Sequence, residues 1–343
     1  MAYYVDEMGA ARCCEIGATK FGRGLVATKD LAPGQTILKI PLSCSIMVEK
    51  WDDNKATDNH DDAWAGQLAV KLLEESTRPS PYADALPPPP STPVRGDWSI
   101  SALNALDNAE FLNEIQDAKE WRNRQCEDFV RGRLSGAIAT TPVEPHAFLD
   151  TLDLVSSRTI RCGNKFMLVP FLDMANHASR DQGGGYYELD MSSNGDVADH
   201  IVLKAGDRGV AQGNEICLDY GSRRNEEWLI HYGFLPDRNT AESVVLPDSK
   251  RTITWSDVNA SDEELQKECR NVLEGFDTSL ADDIASLRQI ETMAERDWDL
   301  EMSLQYRIAR KTLLTAVGGV RTASAFSSAF YNAIEEEPSA VSV

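Results

Sequence analysis

Four short segments, far apart along 343 residues, carry the side chains best suited to chemistry. They are Gly22-Arg23-Gly24, Ser156-Ser157-Arg158, Asp173-Met174-Ala175-Asn176-His177, and Glu215-Ile216-Cys217-Leu218-Asp219-Tyr220, which runs on past Asn225 to Tyr232-Gly233-Phe234. Glycine has no side chain to clash, so the first turn would let a ligand come close to backbone. A guanidinium such as that of Arg158 binds a carboxylate in a fixed fork. The Asn176 amide offers donors and an acceptor to a zwitterionic group. The Tyr220 hydroxyl, with an ordinary phenol pKa of about 10, suits orientation rather than strong base work. Tyr232, with Tyr186 or Tyr187, could wall a narrow aromatic channel, which holds an aliphatic stem and favours a cation at its end.

Each residue also has a plainer reading. Gly22-Arg23-Gly24 alone would be a glycine-rich strand entry. Arg158 could serve a helix dipole. An Asn-His pair is often structural, Tyr220 could end a strand with an ordinary hydrogen bond, and single aromatics usually belong to a core. The setting of Asn176-His177 favours function: it follows a strand, precedes a glycine-rich loop, and has Asp173 just before it.

The elements that must position these residues can be read from periodicity. Short strands are predicted over 25–28, 36–40 and 45–48, with Pro33-Gly34 as a turn. Helices follow. Trp64, Leu68 and Leu72 share a face in 61–75. Helical stretches are expected over 100–118, 119–134 and 144–157, the last with Phe148, Leu152 and Val155 on one face. The proline run over 87–90 reads as a stiff surface connection, with a ligand for a proline-binding module as the other reading. Strands return over 166–169, 186–189, 201–204 and 215–220. Gly183-Gly184-Gly185 reads as a flexible loop, and no Gly-Lys-Ser/Thr follows to make it a phosphate loop. A helix over 225–232 should stop at Gly233. Beyond about 245 the chain is helical, with packing stripes Leu280, Ile284, Leu287 and Leu300, Leu304, Ile308, and a loose tail from Glu335.

Composition excludes several classes. Hydrophobic residues make up 42%, a globular value, and no apolar run approaches the ~20 residues of a membrane span. A formal net charge of −21 repels nucleic-acid phosphates and could attract a basic protein, although acidity for solubility explains it as well. Seven cysteines without a C-x-x-C pair, and five scattered histidines, argue against a disulfide scaffold and a metal site. The start of the chain carries neither signal-peptide nor transit-peptide character, so a cytoplasmic or nuclear protein is expected, or a chloroplast one if a transit peptide is missing from this chain. Nothing sets an oligomeric state.

In their order and spacing, Gly22-Arg23-Gly24, Arg158, Asn176-His177 and Tyr220 resemble the SET-domain protein methyltransferases, in particular the Rubisco large-subunit methyltransferase-like branch. The segment from Tyr82 to Pro87 (Y-A-D-A-L-P) also resembles part of that branch's insert. The resemblance implies an α+β fold. A SET β core of short strands, split into 20–50 and 158–238, would surround a helical insert over 51–157, all within a SET domain of 1–238. An all-helical substrate-binding domain would occupy 239–343. It implies the cofactor S-adenosylmethionine, bound by Gly22, Arg23, Gly24, Arg158, Asp173, Asn176, His177, Tyr220 and Phe234. Tyr220 would be the catalytic residue beside the transferring methyl group. Ile160, Tyr186, Tyr187 and Tyr232 would line a substrate channel, with Phe234 covering the adenine. The Asn-His and Tyr segments would thread past each other as a pseudoknot.

The implied activity is methyl transfer to a lysine ε-amine of a protein, with no metal. The zinc-binding cysteine cluster of many SET enzymes is missing here, as it is in this branch. Two positions depart from the pattern: Phe21 stands where an acidic residue is frequent, and Ile160 where an aromatic shapes the acceptor channel. The second departure keeps open a histidine acceptor. A non-catalytic module that binds S-adenosylmethionine or protein is the reading from another class.

Overall fold

The computed structural model of the chain describes Asp6 and residues 9–49, 63–134, 143–191, 198–237 and 239–320. The expected loose tail from Glu335 lies outside the described residues, as does the start of the expected insert over 51–62. In chain order the strands are β1 Ala11–Arg12, β2 Cys14–Thr19, β3 Gly22–Ala27, β4 Thr36–Pro41, β5 Ile46–Glu49, β6 Ile160–Cys162, β7 Lys165–Leu168, β8 Asn176–His177, β9 Tyr186–Met191, β10 Ala198–Lys204, β11 Glu215–Leu218, β12 Ser243–Val245 and β13 Thr252–Thr254. The helices are α1 Ala63–Glu75, α2 Ile100–Ala105, α3 Ala109–Val130, α4 Pro145–Arg158, α5 Asn225–Tyr232, α6 Glu263–Glu274, α7 Leu280–Glu291 and α8 Trp298–Val317. The fold is α+β, as expected: short-stranded sheets, a helical insert and helices towards the C-terminus.

Two compact units form. One joins Met1–Ser91 to Gln116–Ser222, and the other joins Thr92–Ile115 to Arg223–Val343. Among the described residues, the first unit holds three sheets, in the orders β1-β4-β10-β9, β2-β3-β11-β8 and β5-β7-β6. Strand β4 is covered on both faces, since the adjacent Ile37 and Leu38 point opposite ways and both are buried. Ile37, Leu38 and Ile40 are buried, and they join Leu25, Met167 and Ile216 in one core. A second core lies under α1 and α4, where Leu68 and Leu72 meet the expected face of Phe148, Leu152 and Val155.

One boundary differs from expectation. The helices expected over 100–118 and 119–134 break earlier, at Asp107, whose φ of 49° is left-handed. The Asn108 side chain then accepts from the Phe111 N–H at 3.3 Å and starts α3, which runs through 118–119 with neither glycine nor proline to stop it. The cap, not the periodicity, decided the break.

The second unit packs α8 with α6 and α7. Tyr306, Phe111 and Trp98 share one buried cluster, and both expected stripes pack together in another. One addition to the helices is the β12–β13 hairpin, which shares a core with α6 and α8. A buried ionic cluster also lies here. Lys311 and Asp283, each 1% exposed, pair at 2.7 Å, and Arg307 clasps the same carboxylate at 2.6 Å and 2.9 Å.

Candidate functional site

Strand β11 is where the distant segments meet. On one side Glu215 and Ile216 pair antiparallel with Val26 and Leu25 of β3, the strand that begins at Gly22. On the other, Cys217 and Leu218 pair parallel with Asn176 and His177. Ile216 and Leu218 alternate into the core, so Cys217 between them, like Glu215, keeps the opposite face. The glycine segment completes the junction. Gly185 N–H donates to Cys217 O at 2.9 Å, and Asp219 N–H donates to Gly185 O at 2.9 Å. This corrects the expectation of a flexible loop. A Cβ at Gly184 would lie 1.9 Å from Ala178 O, and one at Gly185 would lie 2.4 Å from Lys204 O, so backbone packs against backbone with no room for a side chain.

The Asn176 amide is held by its nitrogen. Nδ2 donates to Glu215 Oε1 at 2.7 Å and also approaches Thr19 Oγ1 at 3.3 Å and Arg23 O at 3.5 Å. Gly24 lies directly beneath this pair. A Cβ there would meet Asn176 Nδ2 at 2.7 Å, Thr19 Cγ2 at 2.8 Å and Glu215 Oε1 at 2.9 Å. The second glycine of the motif therefore makes room for a side-chain pair. Gly22 has a different reason: its φ is 95°, in open space.

Tyr220 closes over the end of the Asn-His strand. Its hydroxyl donates to Ala175 O at 2.6 Å, and its N–H donates to His177 Nδ1 at 3.3 Å. In the second bond Nδ1 is the acceptor, and the imidazole centroid lies 5.3 Å from that of the Tyr220 ring. Phe171, just upstream, has a φ of 69°, unusual for a bulky residue, and enters a one-turn 3-10 helix, Leu172–Met174.

Asp173 sits in that turn, 6% exposed. The buried Tyr82 donates its hydroxyl to Asp173 Oδ2 at 2.5 Å. Burial pushes the Asp173 carboxyl up to about 6, against the pull of Arg158 and the Tyr82 bond. Arg158, the last residue of α4, donates to Asp173 O and lies 3.8 Å from Met174 Sδ. Arg23 approaches the same sulfur at 3.9 Å and donates to Ala85 O at 2.5 Å. Two guanidinium groups thus lie about Met174, next to the buried Asp173 carboxyl. Arg158 Nε is buried and has no partner among the described residues. Such a spot suits an anionic group.

The remaining candidates are spread more widely. Ile160, 5% exposed, belongs to the core that Tyr187 and Tyr220 also pack against. Tyr187 donates its hydroxyl to Arg161 O at 3.1 Å, while the Tyr186 ring carries the Arg180 guanidinium at 4.5 Å. Tyr232 and Phe234 belong to the second unit. There Gly233 ends α5 in the left-handed region, as expected, and both aromatics cluster with Trp228, at 5.0 Å and 5.3 Å between centroids. Burial pushes the Tyr232 phenol above its ordinary range. A cavity of about 430 Å³ in that unit, lined by Asp107, Glu110, Phe276 and Arg310, contains none of the candidates. Sequence reasoning missed Thr19, Tyr82, Gly185 and Glu215 as parts of the site. Tyr82 carried a signal in its Y-A-D-A-L-P segment, and Glu215 opened the strand leading to Tyr220. Among the described residues, no helix is long and apolar enough to cross a membrane.

Comparison with protein-family models finds no match. Among curated proteins, the chain is 24% identical over 256 residues to the ribulose-1,5 bisphosphate carboxylase/oxygenase large subunit N-methyltransferase, chloroplastic, of Nicotiana tabacum, covering 67% of this chain and 49% of that one. It is 24% identical over 249 residues to the actin-histidine N-methyltransferase of Mus musculus, covering 65% and 39%. The chain thus spans about half, or less, of the length of these relatives. Among solved structures, it is similar to the SET domain of LSMT bound to lysine and AdoHcy, with a TM-score of 0.66 at 15% identity over 93% of this chain and 89% of that one. Rubisco LSMT bound to AdoMet gives 0.63 at 15% identity, over 96% and 91%. By this likeness the sheets and helices described above form the fold of a SET domain.

Proposed function

We propose that the protein is a methyltransferase that uses S-adenosylmethionine and transfers a methyl group directly to a lysine ε-amine of a protein substrate. The observation that carries the reading is the junction at β11, which brings the Gly22-Arg23-Gly24 strand, the Asn176-His177 strand and Tyr220 together. The SET fold and the methyltransferase relatives support it.

The side chains fit an amino-acid cofactor end. With Nδ2 of Asn176 held by Glu215, its carbonyl oxygen is directed away and can accept from an α-ammonium group. The buried, unpartnered Nε of Arg158 suits the α-carboxylate. S-adenosylmethionine, when bound, supplies a methyl group activated by a sulfonium. Tyr220 spends its proton on Ala175 O, so it presents oxygen lone pairs. It therefore orients and accepts polarised C–H contacts rather than acting as an acid. The lysine loses its proton before transfer because desolvation and a nearby positive charge both lower an ammonium pKa. With S-adenosylmethionine bound, the lone pair of that neutral amine would be free to take the methyl group, with S-adenosylhomocysteine as the leaving group.

A histidine acceptor is the second reading, favoured by Ile160 in place of a channel aromatic and by the actin-histidine N-methyltransferase among the relatives. In both readings the helices beyond 239 serve the protein substrate, and the net charge of −21 favours a basic one. The test incubates purified protein with methyl-labelled S-adenosylmethionine and lysate from its own source, followed by mass spectrometry. A labelled lysine, lost in Tyr220→Phe, is the expected result. A labelled histidine moves the assignment to the second reading, and cofactor binding without any label overturns both.

A further inference from the structure

Among the described residues, the nitrogen side of the Asn176 amide bonds to acceptors alone. Glu215 is a carboxylate, and Arg23 O is a backbone carbonyl. The third group, the Thr19 hydroxyl, spends its proton on Gly22 O at 3.3 Å and accepts from the Phe21 N–H at 3.3 Å, so towards Asn176 it too can only accept. Only an amino group can sit against such a set. Turning the amide over would bring two oxygens together where Nδ2 and Oε1 now lie 2.7 Å apart. That contact is the charge-assisted one of the three, and the shortest.

We propose that Glu215 is a positioning residue. Its carboxylate pins the Asn176 amide in one orientation, so that the carbonyl oxygen faces the α-ammonium group of the cofactor and the site selects an α-amino-acid end over a deaminated one. The proposal rests on the methyltransferase reading above.

Three features fit this role. Register places Glu215 on β11 opposite Val26 of β3, two residues before Cys217, which pairs with Asn176, so the side chain reaches along the sheet to the amide. Gly24 leaves the space in which the pair forms, since a Cβ would lie within 2.9 Å of both Nδ2 and Oε1. Finally, a carboxylate can only accept. A glutamine at 215 could turn its own amino group towards Asn176 and accommodate the flipped amide, leaving only the longer contacts to Thr19 and Arg23 O to oppose the flip.

Glu215→Gln is therefore the incisive variant: equal in shape, but without the one-way preference. Calorimetry would measure the affinity of wild type, Glu215→Gln, Asn176→Ala and the double variant for S-adenosylhomocysteine and for its analogue lacking the α-amino group. Wild type is expected to prefer S-adenosylhomocysteine, and Glu215→Gln to cut that preference by about tenfold, the scale of one hydrogen bond to a charged group. The analogue's affinity should hardly change. In the Asn176→Ala background Glu215→Gln should add nothing. Equal weakening of both ligands, or an undiminished preference, overturns the proposal and leaves Glu215 as a structural residue. If Glu215→Gln does not fold, Glu215→Asp serves: it keeps the acceptor-only charge, and loss of preference there by as much as in Asn176→Ala counts against pinning. Wild type that binds neither compound defeats the methyltransferase reading itself, whereas wild type that binds both alike defeats only the positioning role.

Discussion

Tyr220 donates its only proton to Ala175 O, and this single bond sets what it can do. Removing the hydroxyl should spare cofactor binding, which rests on other groups, and remove an oriented dipole beside the reacting atoms. Tyr220→Phe should therefore lower kcat by about 10²-fold, the scale for one preorganised polar group, with cofactor affinity nearly unchanged. Single-turnover label transfer alongside calorimetry separates the two effects. Arg158 is a second residue-scale case. Its Nε is buried without a partner among the described residues, so Arg158→Lys keeps the charge but loses the fork. Cofactor affinity should fall by tenfold or more, measured by calorimetry, on the scale of one hydrogen bond to a charged group.

At the scale of elements, the β2–β3 hairpin separates two roles that one motif hides. Gly22 takes a φ of 95° in open space, so Gly22→Ala should cost about 1–2 kcal/mol through backbone strain and leave the Asn176–Glu215 pair intact. Gly24→Ala puts a methyl group 2.7 Å from Asn176 Nδ2, so it should push that pair apart. The expected outcome is a stability loss of about 1–3 kcal/mol, typical of overpacking, together with loss of cofactor affinity. Thermal unfolding and calorimetry on both variants check the contrast. Only part of β3 was legible in the sequence, from the apolar and β-branched residues after Gly24; β2, and with it the hairpin, was not expected. Nor was the use of Gly24 legible, because its neighbours Asn176 and Glu215 are far off in the chain.

At the scale of the molecule, stability should depend on charges buried in the second unit. Asp283 is clasped by Lys311 and Arg307. Burial would raise its carboxyl, but the bonds from Arg307, Lys311 and Thr278 outweigh it and hold it below the usual range. Asp283→Ala leaves a lysine that is 1% exposed uncompensated, and should cost about 3–5 kcal/mol in denaturant unfolding. Glu242 behaves in the opposite way. Burial, and then the neighbouring Glu226 carboxylate, push it up to about 8 from an ordinary value of 4.5. The folded state therefore binds a proton that the unfolded state releases between these values. The resulting stability is present in full below about 4.5 and is lost as pH rises through about 8. The melting temperature should fall over that window, and Glu242→Gln, which can still accept from the Asn225 N–H, should flatten the fall.

By itself the sequence determined most of the local structure. Helix α5 over Asn225–Tyr232 and its stop at Gly233 follow from propensity and a left-handed cap, and the helix pair under the first unit follows from apolar spacing. Several of its motif residues also pointed to one place, since Gly24, Asn176 and Tyr220 gather about β11. Tertiary structure decided the rest. Sequence spacing carries no record of a neighbour brought in by strand register, so it could not show that Glu215 and Thr19 orient Asn176, or that Tyr82 reaches Asp173 across 91 positions of chain. Nor could it show that Gly184 and Gly185 are packed rather than flexible. Glycine is written for both loose loops and tight approaches, and only the atoms that surround it distinguish the two.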